Sequence, residues 1–501
     1  MEIRLQPGSP LAAIDMGSNS FRLEIGQLPQ SRYRRIDYLK DTVRLGAGLD
    51  AHGMLTEEAA ERGLACLRRF AARLAGFEAA QVRAVATQTL REARNRNAFL
   101  LRAQEALGYP IEVISGREEA RLIYAGVAHL QPGTEPRLVI DVGGRSTELI
   151  LGQGRTPTMA ESFRVGCVSL SMRYFEDGRI TRDGFRAAQV AAGAEFEEGL
   201  QSFAPDHWGQ ALGSSGTAGA VSQLLQASGV TDGRITPAGL RWCIARCLDA
   251  GHIDRIDLPG LKPERRAVLP GGLAILYTLS AHFDIRALWP AKGALRQGVI
   301  IDLHERLLAL QRQLPGDMRD ASVADLQQRF NVDSAQAARV SAVALALFDT
   351  AMPDADPEIR RELVWACALH ELGLMVSHHD HHRHSAYLLA NVDAAGFSQS
   401  QQRRIGDLVL GQRGGLRKIE AQLSSTTFAW QVLCLRLAVI KCHARDLADP
   451  KALSLRARGR DAVLTHTSAW AEANPRTMFL LQEEAASWAR NGSLRLSLAE
   501  A

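Results

Sequence analysis

The sequence predicts an α/β protein of two related halves with a central cleft, followed by an all-α module and a small α+β tail. Three observations carry this reading. Two apolar strands each run into a Gly/Ser-rich hairpin that opens at an Asp: Leu11-Ala-Ala-Ile-Asp15-Met-Gly17-Ser18-Asn19-Ser20 and Leu138-Val-Ile-Asp141-Val-Gly143-Gly144-Arg145-Ser146-Thr147-Glu148. Around each hairpin, strand and helix signals alternate, as they do in α/β domains. From about Arg306 that alternation gives way to helix after helix.

In the first half the pattern reads strand, hairpin, strand, then an amphipathic helix from Thr56 to Leu74. The strand Val82 to Ala86, the helical stretch Arg91 to Ala106, the strand Ile111 to Ile114 and the helix Glu118 to Ala128 follow. The second half repeats the theme with the strand 137 to 142, the hairpin, the strand Glu148 to Leu151 and a helix from Thr181 to Phe203. The turn Gly213-Ser-Ser-Gly-Thr217, more helix and a last helix entering through Gly293 complete it. Arg319-Asp-Ala-Ser-Val-Ala-Asp-Leu and Asp333-Ser-Ala-Gln-Ala-Ala-Arg-Val open amphipathic helices of the third module. Beyond Pro450, alternating runs at 452 to 458 and 493 to 498 flank a helix around Gln482 to Arg490. The expected domains are therefore 1–124, 125–305, 306–449 and 450–501.

A chain of 501 residues, 46% hydrophobic and 23% charged, can bury several cores. No apolar run approaches the ~20 residues of a membrane span, and the N-terminus lacks a basic segment followed by a long apolar one. A cytoplasmic protein is expected, with peripheral membrane association left open. The seven cysteines are scattered, and Cys243 with Cys247 has helical spacing rather than that of a zinc knuckle, so all are expected reduced in cores. The net charge of +4 does not mark a nucleic-acid binder. Nearly all the basic side chains are Arg, whose planar fork suits phosphate oxygens; a high-GC codon bias explains the same preference.

The hairpins read as a matched pair of phosphate grips. Glycines let backbone N–H groups converge on an anion, Ser and Thr hydroxyls add neutral donors, and a carboxylate at the strand end can hold a metal. Two such loops face to face would clamp a phosphoryl group.

Together the loops, their spacing and the later modules resemble the exopolyphosphatase and guanosine pentaphosphate phosphatase family of the actin-like superfamily. The resemblance spans essentially the whole chain. It is carried by Asp15-Met-Gly-Ser-Asn-Ser20, Ala86-Thr-Gln-Thr-Leu-Arg91, Ile114-Ser-Gly-Arg-Glu-Glu119-Ala-Arg-Leu, Asp141-Val-Gly-Gly-Arg-Ser-Thr-Glu148, Gly213-Ser-Ser-Gly-Thr217 and Gly293-Ala-Leu-Arg-Gln-Gly298. It implies two actin-like (ribonuclease H-like) domains, an HD-like helical domain, a homodimer, and the exopolyphosphatase branch, because the helical module carries His382-Arg-His384-Ser-Ala-Tyr387.

The resemblance also assigns roles. Glu119 becomes the base that activates water, while Glu118 points elsewhere on the helix. Asp141 and Glu148 contribute to a divalent metal, Mg²⁺, and to the attacking water, and Asp15 serves similarly or caps its hairpin; a monovalent cation such as K⁺ is compatible. Arg91 contacts phosphate, and Ser18, Asn19, Ser20, Gly143, Gly144, Ser146 and Thr147 donate to the anion. Gly216 and Thr217 form a third loop, which either binds phosphate or shapes the cleft.

Three departures from the family pattern stand out. Arg145 replaces a third Gly, where it either adds a phosphate ligand or crowds the site; its charge favours the former. Lys292 replaces an acidic residue, and Gln297 stands where Glu is common. In the helical module, His370-Glu371 and the run His378 to His384 look like a metal site, but Glu371 and Val439 occupy places where HD chemistry wants Asp. His382, Arg383 and His384 instead line a polyanion channel or are solvated surface groups. The leading expectation is Mg²⁺-dependent, processive release of orthophosphate from inorganic polyphosphate. The alternatives are hydrolysis of guanosine pentaphosphate and a catalytically weakened regulator that binds either compound.

Overall fold

The computed structural model describes residues 8–312, 317–445 and 452–500. The chain forms two compact units, Met1–Gly316 and Asp317–Ala501. The first contains β1 (Leu11–Met16), β2 (Phe21–Gln27), β3 (Arg34–Asp41), α1 (Glu57–Arg73), β4 (Val82–Ala86), α2 (Gln88–Glu92), α3 (Arg96–Leu107), β5 (Ile111–Val113) and α4 (Gly116–Leu130). It continues through β6 (Arg137–Val142), β7 (Thr147–Gln153), β8 (Thr156–Phe163), α5 (Cys167–Tyr174), α6 (Arg182–Phe196), β9 (Gln210–Ser214), α7 (Ser215–Ala227), α8 (Pro237–Ala250), α9 (Leu269–His282), β10 (Leu288–Pro290) and α10 (Leu295–Arg312).

The expected repeat is present strand for strand. One sheet has the order β3-β2-β1-β4-β5 and the other β8-β7-β6-β9-β10, each with an antiparallel meander on one side and parallel strands on the other. The meanders even share an irregularity, a register shift at Ile25/Gly26 and at Leu151/Gly152. A core built from both sheets fills the space around α4 and α10, with Val85, Val139, Leu122, Ile123 and Val299 all buried. Separate cores cover the outer faces.

Differences from the sequence reading have local causes. The edge strand β3 is mostly exposed and β8 buries only Phe163, so burial imposed no alternation that could announce them. The stretch 91–106 is two helices because Asn95 bonds Leu55 in both directions, accepting from its N–H at 2.9 Å and donating to its carbonyl at 3.0 Å. The expected boundaries at 124/125 and 305/306 fall inside α4 and α10.

The second unit packs α11 (Met318–Arg329), α12 (Ser334–Ala351), α13 (Pro357–Leu369), α14 (His381–Asn391), α15 (Gln399–Gly411) and α16 (Thr426–Lys441) around one core. The sheet β11 (Leu453–Arg458), β12 (Asp461–His466), β13 (Arg495–Glu500), with α17 (Ser468–Ala473) and α18 (Pro475–Asn491), adds Leu455, Leu464 and Trp488 to that same core. A buried Arg436–Glu484 pair ties α16 to α18. The expected boundary at 449/450 lies outside the described residues. All seven cysteines are free and buried.

Candidate active site

The two hairpins meet. A Cβ added to Gly144 would lie 3.0 Å from the Cβ of Ser18, so a side chain there would crowd the second turn against the first. On the first hairpin, the Ser18 carbonyl accepts from the Gly46 N–H at 2.7 Å and its hydroxyl accepts from Thr89 at 2.8 Å. The neighbouring Ser20 hydroxyl is buried and has no partner among the described residues. On the second hairpin, the Gly143 N–H is committed to the Ser146 carbonyl at 2.9 Å.

Between the hairpins lies a narrow cavity of about 80 Å³. Asp15, Ser18, Asn19 and Ser20 line one side, Asp141, Gly143, Gly144 and Ser146 the other, and Glu119, Gly216 and Thr217 close it. A larger groove of about 790 Å³ opens between α5 and α6, but it contains none of these residues.

Helix α4 delivers Glu119. The Ser115 side chain caps the helix by accepting from the Glu118 N–H at 3.1 Å, which fixes the two successive carboxylates in the first turn. Successive residues point about 100° apart, and the pair separates accordingly. Glu118 takes a bidentate grip from Arg121 at 2.7 and 2.8 Å, whereas Glu119 faces the cavity and accepts from Arg91 Nη1 at 2.9 Å.

Burial dominates the electrostatics. It pushes the Glu119 carboxyl up to about 7 against the opposing pull of Arg91. It raises Asp141 to about 6 despite a hydrogen bond from Ser214. Glu148, paired in register with Asp141 across β6 and β7, is driven well above its ordinary value by burial and then by Glu119 and Asp141. Three carboxyls crowded in this way make a site short of positive charge.

Several expected phosphate contacts are otherwise engaged. The Thr147 hydroxyl is fully buried and donates to the Val165 carbonyl at 2.6 Å. Arg145 turns away from the cavity, its Nε donating to Glu92 at 2.7 Å and its Nη1 to the Gly46 carbonyl at 3.1 Å, because a carboxylate lies within reach across the hairpins. Arg91 spends its guanidinium on Glu119, Gln88 and the Ile114 carbonyl. Glu148 accepts from Ser162 at 2.8 Å behind the cavity wall. Gln297 is structural, accepting from the Ala294 N–H and donating to buried Glu24, and Lys292 is exposed.

The cations at the cavity are others. Arg22 lies 3.3 Å from Asp15, Arg296 lies 3.6 Å from the same carboxylate, and Arg265 stands against Gly216. Burial, and the like charge of Arg22, lower the pKa of Arg265. Strand alternation from Ser20 would have found Arg22 on the cavity face, and Arg296 lies within the motif at 293–298. Nothing in Pro263-Glu-Arg-Arg marks Arg265.

The histidine-rich segment belongs to the second unit. His381 and His382 are buried at the start of α14, His384 is half-buried, and exposed Arg383 pairs with Asp380. Glu371 is held by Arg445 at 2.6 Å. Among the described residues no group of three His, Cys, Asp or Glu side chains is arranged to hold a metal, here or at the hairpins. No helix among them is long and apolar enough to cross a membrane.

Comparison with known proteins agrees with this architecture. Residues 30–307 match the Ppx/GppA phosphatase family, and residues 318–485 match Ppx/GppA phosphatase, domain III. A guanosine-5'-triphosphate,3'-diphosphate pyrophosphatase from Photobacterium profundum is 36% identical over 484 residues, covering 96% of each chain. The structure of an exopolyphosphatase-like protein is 25% identical with a TM-score of 0.55, covering 61% of this chain and 100% of that one. An exopolyphosphatase from Cytophaga hutchinsonii ATCC 33406 shares the fold at 22% identity and a TM-score of 0.53, covering 59% of this chain and 97% of its own. With its repeated sheets, facing hairpins and helical second unit, the chain belongs to the Ppx/GppA phosphatase family and is a hydrolase of phosphoanhydride bonds.

Proposed function

We propose that the protein releases the terminal phosphate of guanosine 5'-triphosphate 3'-diphosphate, with Glu119 as general base. The observation that carries the chemistry is the Glu119 carboxyl itself: buried at the end of the hairpin cavity, with a pKa of about 7, it is poised to take a proton near neutral pH. Water attacks the terminal phosphorus, Glu119 accepts the water's proton, and the anhydride P–O bond breaks with its electrons passing to the bridging oxygen of the leaving phosphate. The Ser20 hydroxyl and the hairpin backbone hold the transferred phosphoryl, while Arg22 and Arg265 neutralise the phosphates behind it. The relative alike over 96% of the chain supports the nucleotide substrate.

A divalent cation fits the donor chemistry. Asp141 would hold Mg²⁺ in the cavity, with Glu148 adding negative charge from behind it; Mg²⁺ takes one or two carboxylates and completes its shell with water and substrate oxygens, so a dedicated cage is not required. When bound it supplies positive charge to the phosphates and lowers the repulsion among the three carboxyls.

One observation favours inorganic polyphosphate as a second substrate. None of the residues lining the cavity is aromatic, so nothing in the slot stacks a purine. The test is orthophosphate release from both substrates with Mg²⁺, by the parent and by Glu119→Gln. Release from the nucleotide, abolished in Glu119→Gln, is expected. Release from polyphosphate alone would transfer the assignment to that polymer, and full activity in Glu119→Gln would remove Glu119 as the base.

A further inference from the structure

Arg145 stands in the second hairpin yet reaches the first half of the unit. Its Nε donates to Glu92 Oε2 at 2.7 Å and its Nη1 to the Gly46 carbonyl at 3.1 Å. The other oxygen of Glu92 accepts from the Gln88 amide nitrogen at 2.7 Å. That commitment turns the Gln88 amide oxygen toward Arg91, where it accepts from Nε at 2.9 Å and Nη2 at 2.7 Å. Arg91 Nη1 is thereby left aimed at Glu119 Oε2, 2.9 Å away. We propose that Arg145 is a positioning residue for Glu119, acting through Glu92, Gln88 and Arg91, and that it is not a phosphate ligand.

The direction of each bond makes the relay specific. An amide has one donor end and one acceptor end, so Glu92 decides which end Gln88 presents to Arg91. A guanidinium has donors only, and a reversed amide would repel it. Glu92 itself is about a third exposed, its side chain at 31%, and without Arg145 its carboxylate is free to rotate into water. Gln88 is buried, and water does not readily replace the lost partner. Because Arg145 and Glu92 sit on opposite hairpin-bearing halves, the relay is intact only when the halves stand as close as they do here. Approach of the second hairpin thus fixes the base of the first half.

The inference rests on the reading of Glu119 as the base, and its test separates the two. The steady-state kinetics of Arg145→Gln, Glu92→Ala, the double variant and Arg145→Lys would be measured against the parent and Glu119→Gln. A misdirected base costs rate rather than binding, so Arg145→Gln and Glu92→Ala should each lower kcat by about tenfold or more, with KM within about twofold. The double variant should be no slower than the slower single, because the groups act as one unit. Arg145→Lys, which can still reach Glu92, should recover part of the rate. If Arg145 binds phosphate directly, Arg145→Gln raises KM while kcat holds, and Glu92→Ala matches the parent; that pattern overturns the proposal. Crystal structures of the parent and Arg145→Gln supply a second readout that needs no turnover. Loss of the Arg91–Glu119 contact in the variant supports the relay, and its retention overturns it, even where Glu119→Gln shows the base to lie elsewhere.

Discussion

Arg91 Nη1 donates to Glu119 Oε2 at 2.9 Å, one cation holding a buried carboxylate against the charges of Asp15, Asp141 and Glu148. Burial outweighs the ion pair and leaves Glu119 near 7. The base is active as the carboxylate, so the rate should fall as pH drops through that region rather than through the ordinary glutamate range. Arg91→Met removes an ion pair and a hydrogen bond that favour the charged form. The acidic limb of the kcat profile should then move to higher pH, with kcat at neutral pH lower by about tenfold for each unit of that shift. A limb that stays in place would mean that Arg91 does not stabilise the ionised base.

The same carboxyls tie stability to pH. Glu119, Asp141 and Glu148 all have folded pKa values above their ordinary ones. Each therefore contributes stability that is fully present below its ordinary value and is lost as pH rises through the raised one. Without divalent cations, these groups should pull Tm down as pH rises from about 4 through about 7. Glu148→Gln keeps an oxygen for Ser162 and removes a charge, so it should flatten the slope and raise Tm at the alkaline end. Mg²⁺ should raise the parent's alkaline Tm more than that of Glu148→Gln. Differential scanning fluorimetry across pH decides it through the difference between the two proteins; a Tm gain of Glu148→Gln that shrinks as pH rises would contradict the sign.

The hairpins, the repeat and the position of Glu119 were legible because each needs a local signature: glycines at a tight turn, an Asp at a strand end, a Ser cap before paired glutamates. The partners of those groups were less so. Arg265 reaches the cavity through tertiary packing against Gly216, with no periodicity to report it. Arg145 was read by charge as a phosphate ligand, but a carboxylate 53 positions earlier in the chain competes for it. Thr147 looked like a donor by composition, yet its strand position buries the hydroxyl against Val165. Chemistry confined to one turn can be read from sequence, whereas the choice among distant partners is made by the fold.

Arg265 and Gly216 offer a paired test of substrate grip. A Cβ at position 216 would fall 1.9 Å from Arg265 Nη2, the far end of a flexible side chain. Gly216→Ala should thus fold while displacing the guanidinium, and so imitate Arg265→Gln. Both should raise KM by about tenfold, the scale of one charge-assisted phosphate contact, with kcat little changed and the KM effect shrinking at high salt. If Gly216→Ala keeps the parent KM while Arg265→Gln does not, the guanidinium has found another route to the substrate.

Helices α4 and α10 cross where Gly298 touches the backbone of α4: a Cβ there would lie 1.7 Å from the Leu122 carbonyl oxygen. Backbone cannot swing aside as a side chain can, so Gly298→Ala must part the helices. The core around Leu122, Ile123 and Val299 would then open, at a cost of about 1–3 kcal/mol typical of overpacking. The same displacement moves Glu119 on α4 relative to Arg296 on α10, so kcat should fall as well. Gly219→Ala provides the control: it lies within α7 with nothing inside 4 Å of the added carbon, and should stabilise by about 0.5–1 kcal/mol through helix propensity alone. Urea melts and kcat of both variants test the pair. A Gly298→Ala protein as stable and active as the parent would show that the helix crossing tolerates separation and does not fix the base.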